Sequence, residues 1–126
     1  MRDTVYFSWR KVEQLLVTFC DAISKKGIKF NGVYGLPRGG LCPAVMISHR
    51  LHLPLLAAPA KGCLVVDDIA DSGKTLQPYI DKQYFLMVLV VKYKSCVLPD
   101  YAGWHPKARQ SREEDAWIVF PWEELR

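Results

Sequence analysis

Apolar residues along this chain change period several times, and each change marks an element. In residues 8–25, Trp9, Val12, Leu16, Phe19 and Ile23 recur at spacings of three and four, which sets them on one face of a helix. Ser8 is placed to cap its start and Gly27 to end it. The aromatics of that face read as core. Residues 30–35 read as a short strand centred on Val33 and Tyr34, followed by a Gly-rich turn and a helix over about 41–51. A second short strand is expected over 53–57. Residues 63–66 form an apolar run long enough for a buried strand, ended by Asp67 and Asp68, and a helix is expected over 76–81. Residues 83–92 are strand-like. Their core, 85–91, lacks polar alternation, which predicts a strand buried on both faces of a parallel sheet. Residues 105–115 are polar and read as loop. Such alternation of strands and helices in a short chain predicts an α/β sandwich.

The polar residues between these elements carry the chemistry. After the 63–66 run come Asp67, Asp68 and then Asp71-Ser72-Gly73-Lys74-Thr75. Strand, acidic turn, Gly-containing loop and helix start is the layout of a phosphate site at the carboxyl end of a strand. Loop amides would hold a dianionic phosphate, with Ser72 and Thr75 adding hydroxyl donors. Asp67 and Asp68 suit sugar hydroxyls, or a magnesium ion through water. Two other readings compete. Gly73-Lys74-Thr75 could end a nucleotide-triphosphatase P-loop, but that motif needs a glycine where Asp68 stands. An ordinary strand–turn–helix junction, with Asp71 or Ser72 as N-cap, accounts for one polar residue and not for three acids. The turn Leu36-Pro37-Arg38-Gly39-Gly40 repeats the layout. Gly39 and Gly40 permit close backbone approach and positive φ, and Arg38 offers phosphate oxygens a fixed charge. Its plainer reading is a tight β-turn with a surface arginine.

Composition narrows the partners. A chain of 126 residues, half of them hydrophobic, suits one folded domain over 1–126. The net charge of +4 fits an anionic ligand. With no basic run and no RNA-reading motif, it argues against nucleic acid. Cys20, Cys42, Cys63 and Cys96 form no C-x-x-C pair, which argues against zinc or thioredoxin-like chemistry. They read as buried thiols in a reducing compartment. The N-terminus has no apolar signal core, and the run 85–91 is too short to span a bilayer, so the expected location is cytoplasmic. His49 and His52 lie three apart with no third ligand in view, and read as solvated or packed side chains.

The stretch 63–76 resembles the PRPP-binding signature of the type I phosphoribosyltransferases: apolar strand, paired acids, two spacers, then Asp-Ser/Thr-Gly-x-Thr. Residues 36–40 resemble that family's pyrophosphate loop. Family members often hold the peptide bond before its basic residue cis, which here is Pro37–Arg38. Residues 99–104 resemble the family's short strand after the central one. Trp117-Ile118-Val119-Phe120-Pro121-Trp122-Glu123 resembles the C-terminal segment of the bacterial and archaeal xanthine–guanine branch.

The resemblance implies a three-layer α/β sandwich with a mainly parallel central sheet and a minimal hood. It implies transfer of ribose 5-phosphate from PRPP to N9 of a 6-oxopurine, releasing pyrophosphate, with Mg2+ as cofactor. It implies roles as well. Asp67, Asp68, Asp71, Ser72, Gly73, Lys74 and Thr75 would hold PRPP with Arg38, Gly39 and Gly40; Asp67 and Asp68 would place the metal. Asp71 and Arg38 would be catalytic, the first taking the purine proton and the second stabilising pyrophosphate. Lys92, with Lys94 in reserve, would donate to the purine oxygen, while Trp117 stacks on the base and the backbone near Ile118 reads its edge. Trp122 reads as packing. The partners implied are PRPP, a purine and further copies of the chain, in a dimer or tetramer.

One departure stands out. Only residues 57–62 separate Leu56 from Cys63, where the family usually carries a hairpin and a mobile loop that closes over the site. Lid closure protects reactive intermediates from water. Its absence raises an alternative: a PRPP- or nucleotide-binding regulator, or a subunit whose partner covers the site. Lys61, in the short turn, could reach ligand oxygens or simply be solvated. An RNA-binding regulator and a PRPP hydrolase are further readings of the same fold.

Overall fold

The computed structural model describes residues 3–124 and resolves the sequence pattern into seven strands, three α-helices and one 3-10 helix among them. In chain order these are β1 (Thr4–Tyr6), α1 (Trp9–Lys26), β2 (Val33–Gly35), α2 (Leu41–Leu51), β3 (Leu55–Leu56) and β4 (Leu64–Ala70). The 3-10 helix (Lys74–Tyr79), β5 (Phe85–Val91), β6 (Tyr101–Trp104), α3 (Arg112–Asp115) and β7 (Trp117–Val119) follow. Five strands make one parallel sheet in the order β3-β2-β4-β5-β6. The α/β sandwich with a parallel centre is thus as expected.

Local chemistry explains the helices. The Ser8 side chain accepts the Lys11 amide at 3.0 Å, and Gly27 ends α1 at φ 68°. Val12, Leu16, Phe19, Cys20 and Ile23 turn inward. Trp9 does not: it is half exposed and tilts against Trp122 with ring centroids 5.9 Å apart. The segment after Gly73 was expected to be α-helical and is 3-10 instead. Pro78 has no N–H to bond the carbonyl four residues back, which blocks a regular α-helical start there.

The sheet's core strands bury both sides. Leu64, Val66, Met87 and Leu89 pack with the α1–α2 layer, while Val65, Leu86 and Val88 pack with Leu76 and Val97 on the other face. That alternation is why 85–91 carries no polar residue. The second layer is thin, a 3-10 helix and the loop after β5. β4 runs on through Asp67 and Asp68 to Ala70, past the expected end. Its ladder with β5 continues to Ala70↔Val91, and pairing with an apolar partner strand outweighs the local preference of aspartate for turns.

Three elements escaped the periodicity: β1, β7 and α3. β1 pairs in parallel with β7, outside the main sheet. α3 lies inside the stretch read as loop. β2 is shorter than residues 30–35, because Asn31 turns aside to donate its side-chain amide to the Lys61 carbonyl at 2.5 Å. The thiols are free, but only Cys20 and Cys63 are buried; Cys42 is half-buried and Cys96 exposed. Among the described residues no helix is long and apolar enough to cross a membrane.

Connectivity places a crevice. From β2 the chain runs through α2 to β3 on one side, then returns to β4 on the other side of β2. The carboxyl ends of β2 and β4 therefore lead into loops that part in opposite directions, the usual ligand position in such sheets.

Candidate functional site

The first wall is the turn after β2. Leu36 N donates to Val66 O at 2.9 Å, Gly40 N to Leu36 O at 2.8 Å and Leu41 N to Arg38 O at 3.1 Å. The Pro37–Arg38 peptide bond is cis, as the resemblance implied. The glycines act by size. A Cβ on Gly39 would run into the Asp68 carboxylate, and one on Gly40 into the Val66 carbonyl. Positive φ is not what they provide: among the described residues it occurs at Gly27, Gly62, Gly73 and His52. The turn thus lies directly against the end of β4.

The second wall is that strand end. Asp68 N donates to Asp67 Oδ1 and Ile69 N to Asp68 Oδ1, each at 2.8 Å. Burial pushes the Asp67 carboxyl up from 3.8 to about 8, and the neighbouring Asp68 charge adds to it. Burial raises Asp68 too, against the pull of hydrogen bonds from its surroundings. Two partly buried carboxyl groups side by side offer oxygens to a cation or to hydroxyl donors.

Beyond β4, Asp71 brings Oδ1 to 3.1 Å from Lys94 Nζ. Ser72 O accepts Cys96 N at 2.8 Å, and Gly73, at φ 82°, turns the chain beside Ser95. An added side chain at Gly73 would be strained whatever the space. Residues 71–75 are thereby tied to the segment that follows β5.

The third wall is the C-terminal segment. Trp117 N donates to Asp3 O, and Phe7 N to Val119 O, both at 2.8 Å, so the N-terminal strand holds β7 in place. Trp117 is half exposed. Phe120 and Trp122 stack with planes 2° apart and centroids 5.1 Å apart.

These walls enclose a cleft of about 650 Å³. Of the residues expected at the site, Arg38, Gly39, Asp67, Asp68, Asp71, Thr75, Trp117 and Ile118 line it. Gly40, Ser72, Gly73 and Lys74 belong to the same loops without lining the cleft. Lys92 does not line it either. Its side chain is buried and Nζ donates to Glu114 O at 2.5 Å and to Ala116 O at 2.9 Å. Burial lowers its pKa, while the charges of Asp71 and Glu114 oppose that shift. Lys61 is remote: Gly62 bonds Asn31 and Gln83, at the amino ends of β2 and β5. His49 lines a separate groove between α1 and α2.

Sequence reasoning missed Ile69, Ala116, Phe120, Trp122 and Glu123 as lining residues. For Trp122 and Glu123 the signal was present, in the tail segment that resembles the xanthine–guanine branch. Among the described residues no three or more His, Cys, Asp or Glu side chains gather as a metal cluster. The Asp67–Asp68 pair does offer the oxygen donors that hard cations prefer.

No protein-family model matches the chain. Known proteins do. A purine phosphoribosyltransferase structure from Pyrococcus horikoshii is 29% identical, with a TM-score of 0.79, covering 98% of this chain and 96% of that one. A Helicobacter pylori xanthine-guanine-hypoxanthine phosphoribosyltransferase structure, 20% identical, shares the fold with a TM-score of 0.77 over 98% of this chain and 94% of that one. The xanthine-guanine phosphoribosyltransferase of Chromohalobacter salexigens is 22% identical over 92% of this chain and 82% of its own length.

Proposed function

As a member of the type I phosphoribosyltransferase family, this chain, we propose, transfers ribose 5-phosphate from PRPP to N9 of a 6-oxopurine base. The observation that carries the proposal is one cleft lined at once by the cis turn after β2, the paired acids of β4 and an exposed tryptophan on β7. The first two suit a phosphorylated sugar and the third a flat heterocycle. Likeness to purine enzymes supports the purine. The 6-oxo group rests on the C-terminal segment and on Lys92, both read through the family resemblance.

Each residue then has a task. Amides of residues 72–75, with the Ser72 and Thr75 hydroxyls, receive the 5′-phosphate. Asp67 and Asp68 take the ribose hydroxyls, and these two carboxylates would also hold Mg2+ together with PRPP oxygens. When bound, the ion offsets the charge of the departing pyrophosphate. The raised pKa of Asp67 fits this use, since an arriving cation or hydroxyl supplies the partner that burial denies. Arg38 and the Gly39 and Gly40 amides stabilise pyrophosphate as the C1′–O bond breaks. The purine N9 forms the new bond to C1′, and its proton passes to Asp71. Trp117 stacks on the ring, and the backbone near Ile118 reads its edge. Lys92 acts on the base through the Glu114–Ala116 backbone that it grips, or through its remaining N–H. The enzyme works in the cytoplasm as a homo-oligomer.

A second reading is favoured by one observation. Residues 57–62 turn at the amino end of the sheet, and among the described residues that connection sends no segment over the cleft. A site open to water suits a PRPP- or nucleotide-binding regulator. Product analysis decides: the purified chain is incubated with PRPP, Mg2+ and each base in turn, against a control without base. Nucleotide formed only with guanine, xanthine or hypoxanthine is the expected result. Intact PRPP with every base rejects the transferase. Ribose 5-phosphate released without base makes the protein a hydrolase.

A further inference from the structure

Glu114 is only 4% exposed, and no step of the reaction above uses its side chain. It lies in α3, where its amide is held by the Ser111 side chain at 3.2 Å. Its carboxylate reaches back to the chain just past β5. Oε1 accepts Tyr93 N at 2.8 Å, and Oε2 accepts Lys94 N at 3.1 Å. Its carbonyl oxygen accepts Lys92 Nζ, which also donates to Ala116 O. Three consecutive residues, 92–94, are therefore bound to the short segment that leads directly into Trp117 and Ile118.

Satisfying a buried carboxylate would take any donors of the right strength. Two adjacent backbone amides do more, because they fix the direction of the turn as well as its position. Two residues on that turn matter to the site: Lys94 carries its ammonium to Asp71 Oδ1, and Lys92 grips the carbonyls before β7.

We propose that Glu114 is a positioning residue for the purine. It locks the 92–94 turn to the 114–116 backbone, and so sets the height of Trp117 and Ile118 over the cleft and the place of Lys94 beside Asp71. This deepens the transferase reading and rests on it.

Glu114→Gln tests it. The variant keeps the side-chain shape and one acceptor oxygen, but sets an NH2 group against a backbone N–H. The expected result is a rise of about tenfold in KM for the base, with KM for PRPP unchanged within about twofold. Glu114→Asp keeps the charge on a shorter arm, and should fall between the wild type and Glu114→Gln. An unchanged base KM beside a lowered melting temperature, or equal rises in both KM values, overturns the proposal by making the residue purely structural. Should Glu114→Gln not fold, the Glu114→Asp split in KM values is read by the same criterion. Wild-type protein without turnover would reject the transferase reading, not this one. Amide hydrogen exchange then decides without catalysis. Tyr93, Lys94, Trp117 and Ile118 should exchange faster in Glu114→Gln while the amides of β4 and β5 keep their protection. Unchanged exchange at Trp117 and Ile118 rejects the proposal.

Discussion

Asp71 stands beside a lysine and at the edge of the cleft, which suits a group that must take a proton and remain aligned. Asp71→Asn keeps the shape and loses the base. Turnover should fall by about 10²–10⁴-fold. PRPP binding, measured by calorimetry, should change little, and a parallel loss of binding would deny Asp71 this role. Trp117 offers a face and no charge. Trp117→Ala should raise KM for every purine by about 5- to 100-fold, since base stacking on an aromatic ring contributes about 1–3 kcal/mol. Loss confined to one purine would point to edge recognition instead. Gly39 makes a third case. Its missing Cβ leaves the space that the Asp68 carboxylate fills, so Gly39→Ala must displace either the turn or the acid. PRPP affinity should drop while the melting temperature changes modestly, and unaltered affinity would mean that the turn does not touch the ligand. These candidates were legible in the sequence because the motifs that present them are local. A loop's amides, a carboxylate and an arginine follow one another along the chain. The burial of Lys92 was not legible for the opposite reason: what faces it comes from residues 114–116, far along the chain.

Among elements, α1, α2 and β5 were readable because their faces are buried in a regular way and their ends have local stops. β1 and β7 were not. Each is three residues long, and each exists only because the other pairs with it. Phe7 secures that pair: it meets Trp104 at 5.6 Å and Phe120 at 5.4 Å, both edge-on, in the core. Phe7→Ala should cost about 3–5 kcal/mol of stability. The remaining folded protein should lose base affinity more than PRPP affinity, because β7 carries Trp117. Denaturant titration gives the first quantity and competition binding the second; equal loss of both ligands would separate β1 from the base side of the cleft. The 3-10 helix shows a local signal that periodicity overrode. Pro78 was visible, yet apolar spacing at Leu76, Tyr79 and Ile80 suggested an α-helix.

At the scale of the whole molecule, burial sets the pH response. Cys20 is 2% exposed, and burial raises its thiol pKa from 9.0 to about 11. A raised pKa favours the folded state below the unfolded value and loses that contribution as pH climbs through the folded one. Between pH 9.0 and about 11 the melting temperature should therefore fall more steeply for the wild type than for Cys20→Ala. Parallel curves would mean that Cys20 ionises equally in both states. Cys96, exposed, should be alkylated quickly under native conditions, and Cys20 only after unfolding. What the sequence by itself determined is the set of candidate site loops and the alternation of apolar runs, because both arise from neighbours along the chain. The order of strands, and so the crevice, was decided by packing. The return from β3 across β2 to β4 sets the Arg38 turn against Asp68. The union of β1 with β7, the burial of Lys92 and the grip of Glu114 were decided there too. Residues scores of positions apart meet only when a core has formed, and no period along the chain records which of them will meet.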